Sequence, residues 1–122
     1  MADFDYMRSV RPMVAKLAAD ADSQARSTPT GVSFAADVLE DAELTFRTAI
    51  GQHGRGLSTA EKGVVAELHA RVEAIVSGVG PGDPFWTDSA LRSHPKWEAI
   101  RVAARQALRR LDELRGPTSP PQ

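Results

Sequence analysis

Apolar side chains recur at three- and four-residue spacing in four stretches of this chain, and clusters of glycine, proline and serine separate those stretches. That period is the repeat of an α-helix, whereas a half-buried strand alternates its apolar residues at every second position. No alternating run competes, so the chain is expected to be all-α. Short connections favour neighbours that run in opposite directions. The expected architecture is therefore an antiparallel bundle of four long helices plus one short helix.

The first stripe is Met7, Val10, Val14, Leu17 and Ala21. Pro12 falls beside it, so one helix is expected here, kinked or restarted near the proline. Turn residues at 27–31 end it. The second helix is expected over 33–50, with Phe34, Ala35, Val38, Leu39, Ala42, Phe46 and Ala49 inward and Asp37, Glu40 and Asp41 outward. A glycine-rich connection, 51–56, leads to Ser58 and Glu61, the spacing of a reciprocal helix cap. The third helix, over 59–79, buries Val64, Val65, Leu68, Val72, Ile75 and Val76. Gly63, Ala66, Ala70, Ala74 and Ser77 make a stripe of small residues that is either a second packing face or plain alanine-rich surface.

The stretch from Asp83 to Trp97 departs from this grammar, because it holds both tryptophans and two helix starts. Asp83-Pro84 pairs a capping residue with proline at the first helical position, which predicts a short helix over 84–92. The last long helix opens at His94-Pro95 and ends before Gly116, burying Trp97, Ile100, Ala104, Ala107, Leu108, Leu111 and Leu114. Residues 1–115 are thus read as a single domain and 116–122 as a disordered tail.

Among 122 residues, 42% are apolar and 25% charged, a balance that supports one folded core. Fifteen basic against sixteen acidic side chains leave a net charge of −1, so no global field draws a polyanion. No cysteine is present, which excludes disulfides and thiolate chemistry. The start of the chain carries two aspartates and no apolar run, and no stretch approaches the roughly 20 apolar residues of a membrane span. A cytoplasmic protein without membrane contact is expected.

Candidate chemistry is sparse. His53, His69 and His94 form no Glu-x-x-His or His-x-x-x-His pair; His69 and Glu73 alone stand four apart, so no metal site and no cofactor is expected. The loop at His53 lacks the lysine-serine ending of a nucleotide loop. No nucleophile and base share a motif, and the chain is read as non-enzymatic. Three surface readings remain. Asp37, Glu40 and Asp41 surround Leu44, an acidic patch with one apolar anchor suited to a partner with a basic surface, and Trp86 is a second candidate anchor. Arg101, Arg105 and Arg109 stand four apart and form an alternative, nucleic-acid-facing ridge, although Glu98, Asp112 and Glu113 dilute its field. A small-ligand or metal-binding bundle around His69 or His53 is the third. The leading expectation is a protein-binding helical bundle, of the kind met in small bacterial accessory or toxin-neutralising, immunity-type proteins. Its partner would be another protein rather than nucleic acid.

Overall fold

A computed structural model describes residues 6–26, 34–51, 56–87 and 89–115, with the backbone alone for Met7 and Phe34. Among the described residues every regular element is helical. A π-helical turn, Tyr6–Val10, runs into α1 (Arg11–Ala18). After it come α2 (Ala21–Arg26), α3 (Phe34–Ile50), α4 (Thr59–Val76), a 3-10 turn at Pro84–Trp86, α5 (Ala90–Ser93) and α6 (Pro95–Arg115). The expected turn at 27–31, the loop 52–55 with His53, and the tail 116–122 lie outside the described residues, as do the side chains of Met7 and Phe34.

The stripes do what their spacing requires. On α3, Ala35, Val38, Ala42, Phe46 and Ala49 are buried; on α4, Val64, Val65, Leu68 and Val72; on α6, Trp97, Ile100, Ala103, Ala104, Ala107 and Leu111. α6 packs along α1 and α4, while α3 lies on α4 and touches α1. Bonds between α4 and α6 fall in reverse order, from Glu61–Arg115 through Glu67–Arg110 to Ile75–Lys96, so these two helices run oppositely. The start of α4 is secured by the reciprocal cap: Glu61 N–H donates to Ser58 Oγ at 3.1 Å and Ser58 N–H to Glu61 Oε1 at 2.8 Å.

Trp97 anchors one end of the core. It is fully buried, its indole N–H donates to the Phe85 carbonyl at 3.0 Å, and its ring stacks on Phe85 with centroids 4.8 Å apart. A buried tryptophan needs such an acceptor for its one polar atom. Trp86 and His94 meet Phe85 edge-on at 5.0 and 5.5 Å, completing an aromatic cluster under the 3-10 turn.

Four expectations need correction. The first helix is not continuous. Pro12 does sit in the tolerant first turn of α1, but the chain turns extended at Ala19, and Asp20 caps a separate α2 by accepting from Ser23 N–H at 2.8 Å. Gln24, only 1% exposed, folds back and donates to the Lys16 and Leu17 carbonyls that the end of α1 leaves without helical partners. Secondly, the short helix over 84–92 is two pieces. Asp83 accepts from Phe85 N–H at 2.8 Å, Thr87 then turns extended, and α5 begins only at Ala90. Thirdly, Leu114 is 48% exposed, because Arg115 rather than Leu114 is directed onto the first turn of α4, where it bonds Glu61 and lies over the Tyr6 ring. Fourthly, α4 stops at Val76, and Ile75 and Val76 are half-buried. The small-residue stripe of α4 is mostly surface: Gly63, Ala70, Ala74 and Ser77 are exposed, Ala66 is half-buried, and a Cβ added at Gly63 would meet nothing within 4 Å.

Candidate functional site: the groove between α3 and α4

Helical phase decides what lines this groove. Leu39, Ala42 and Phe46 lie on the flank of α3 that turns toward α4, and Val72 and Val76 on the facing flank of α4. The two flanks leave a cavity of about 390 Å³. Trp86, carried by the 3-10 turn, closes one end; its indole N–H donates to the Gly80 carbonyl at 2.8 Å, which sets the ring's position. The proline at Pro84 and the cap at Asp83 hold that turn, so a short local motif aims a large aromatic side chain at a groove made by distant helices.

Three polar side chains meet on the wall. His69 Nε2 lies 3.0 Å from Glu43 Oε1 and 3.6 Å from Glu73 Oε2. His69 and Glu73 share a face of α4 one turn apart, and Glu43 reaches them from α3. The imidazole side chain is 17% exposed and stands edge-on to Phe46 at 6.5 Å, while Glu73 is open to water. Hydrogen bonding from His69 holds the Glu43 carboxyl below the usual glutamate range; desolvation opposes it, and weaker charge attraction from His69 and Arg47 adds to the lowering. Arg47 Nε pairs with the other carboxylate oxygen of Glu43 at 3.1 Å. An apolar floor with a few convergent polar groups on one side is the ordinary construction of a ligand site.

The acidic patch expected on α3 divides. Asp37, Glu40, Asp41 and Leu44 are all exposed as expected, Leu44 at 68%, yet none of them lines the groove. Trp86 does. The arginine ridge does not exist as one exposed surface. Arg101 is 4% exposed and donates to Gln24 Oε1 at 3.0 Å and to Glu98 at 3.1 Å. Arg105 donates to the Ala18 carbonyl at 2.9 Å, and only Arg109 and the outer part of Arg105 face water. Two of the three arginines therefore close the open end of α1 rather than await a phosphate. His94 belongs to the aromatic cluster, with Nδ1 accepting from Lys96 N–H at 3.1 Å.

Glu43 is the residue that sequence reading did not single out. Its one signal is its place beside Ala42 and one turn before Phe46, at the edge of the buried stripe. No helix among the described residues is long and apolar enough to cross a membrane. No family model, curated protein or solved structure matches this chain, so its site is read from its own residues.

Proposed function

We propose that this chain is a non-enzymatic protein-binding module that receives a basic, amphipathic segment of another protein in the groove between α3 and α4. The single observation that carries the reading is the pairing of an apolar, Trp86-capped floor with the carboxylates of Glu43 and Glu73 on its wall. An amphipathic helix lays its apolar face into such a groove, and its lysines or arginines then meet the carboxylate rim. Glu40, Asp41 and Asp37 on the outer side of α3 extend the same negative sign and would hasten encounter rather than supply contact. Half-buried tryptophan is the residue type most often found to dominate such contacts.

In this reading the frame is an antiparallel helical bundle working in the cytoplasm. A small bacterial accessory or neutralising protein, masking a basic partner, is the setting that fits. A nucleic-acid partner is the weaker reading, because Arg101 and Arg105 are engaged within the fold.

The test uses calorimetry with a synthetic peptide of leucine and lysine at helical spacing, and pull-downs from the native host. Glu73→Arg and Trp86→Ala, which touch the groove, should each weaken the peptide at least tenfold and deplete the captured partner. The outer-face triple variant Glu40→Lys, Asp41→Lys, Leu44→Ala should slow association and leave the complex's lifetime nearly unchanged. Equal capture by groove variants and wild type would overturn the reading. So would loss confined to the outer-face variant, which would move the contact to Leu44.

A further inference from the structure

We propose that Glu43, His69 and Glu73 form a zinc site at the wall of the groove. The inference goes beyond peptide binding and does not depend on it.

Zinc takes imidazole nitrogen and carboxylate oxygen at about 2.0–2.2 Å, so adjacent ligand atoms around a tetrahedral ion stand about 3.3 Å apart. The two pairs that include His69 Nε2 measure 3.0 and 3.6 Å, on either side of that spacing, and all three ligand atoms lie within 4.8 Å of one another. Glu73, whose side chain is 59% exposed, is the ligand best placed to turn and close the remaining gap. The imidazole, by contrast, is held between Phe46 and Glu43, so one ligand is placed before the ion arrives. That combination, a fixed nitrogen and a mobile carboxylate, lets a preformed pair capture the ion and a third ligand close over it.

Ligand type selects the metal. Calcium and magnesium need six or more oxygens or a shell of waters, and a half-buried imidazole is a poor donor to either. One imidazole and two carboxylates suit zinc, and three protein ligands leave a fourth position. The three side chains line the same cavity as Leu39, Val72 and Trp86, so water or a donor atom of a bound partner could complete the shell from there.

Binding has a proton balance. His69 Nε2 must offer its lone pair to the ion, so a proton carried on that nitrogen would move to Nδ1 or leave to solvent. Arg47 holds the opposite oxygen of Glu43 and need not move, since the ion enters on the side facing His69.

The test is calorimetric titration of the full chain with zinc chloride at neutral pH, with cobalt(II) as a spectroscopic stand-in. One ion should bind per chain, and the cobalt form should show the intense visible bands of four-coordinate nitrogen and oxygen ligation. His69→Ala and Glu43→Gln should each weaken binding at least tenfold, and so should Glu73→Gln, an exposed substitution that leaves folding intact. His53→Ala should leave binding unchanged. Absence of stoichiometric uptake would overturn the proposal, as would wild-type uptake by Glu73→Gln or His69→Ala, or loss in His53→Ala. Because no partner is present, failure here leaves the peptide reading standing. Success together with failure of the leucine-lysine peptide would separate the two in the other direction.

Discussion

The seam of α6 with α1 and α2 and the seam of α3 with α4 treat charge in opposite ways. Where α6 meets α1 and α2, charged and polar groups close on one another: Arg101 on Gln24, Arg105 on the Ala18 carbonyl, Arg11 on Asp112 in a two-bond pair at 3.0 Å. Where α3 meets α4, His69, Glu43 and Glu73 face an open groove instead. The first set joins segments far apart in the chain, and Arg105, together with Arg101 through Gln24, stands in for helical bonds missing at the end of α1. The second could lose a member with little damage to the core. A row of like charges in a sequence therefore does not announce a binding surface; what matters is whether a nearby helix end leaves carbonyls that those charges must satisfy.

The sharpest way to break this comparison is at the core that both sides share. Trp97→Ala should lower stability by about 3–5 kcal/mol, measured by urea unfolding, since a large buried aromatic is removed along with the partner of the Phe85 carbonyl. An effect below 1 kcal/mol, about the scale of an ordinary surface change, would move Trp97 out of the core.

Next in size is Arg101→Met. It removes a buried, charged donor to the Gln24 oxygen and should cost about 1–3 kcal/mol, the range for a hydrogen bond to a charged group. The matched change on the other side, Glu73→Gln, should stay within about 0.5 kcal/mol. Equal effects would erase the distinction between a closed charge network and an available one.

Smallest is the acid response of Glu43. Its folded value lies below its unfolded one, so the stability it contributes is present above the ordinary glutamate value of 4.5 and is lost as pH falls through the lowered value. Proton-resolved NMR titration should place the Glu43 midpoint below that of an unpaired glutamate, and His69→Ala should raise it back. An unshifted midpoint would mean that His69 and Glu43 do not share a proton in solution.

Much of this was legible from local pattern. The Ser58–Glu61 cap, the Asp83-Pro84 start, the burial of Trp97 and the exposure of Leu44 all follow from residues within a few positions of each other. What was not legible depends on residues far apart in the chain. Helical period carried the first stripe through Ala21, whereas the fold breaks it at Ala19, because Gln24, Arg101 and Arg105 make the break favourable. Leu114 continued its stripe on paper, but Arg115 had a carboxylate to reach at Glu61. The same blindness hid the groove. His69 and Glu73 are visible as a pair, but Glu43 joins them from 26 residues away.

The corner between α1 and α2 has a consequence for how the chain assembles. Two of its closing bonds link residues 77 and 87 positions apart, so both short segments are synthesised well before their partners on α6. Contacts with such separation are slow to form, since a long loop must be closed before they reward it. Until α6 docks, the corner has the local bonds from Gln24 to the Lys16 and Leu17 carbonyls but lacks the arginines that complete it. The amino-terminal corner is therefore the piece whose amides should gain protection from hydrogen exchange last on refolding.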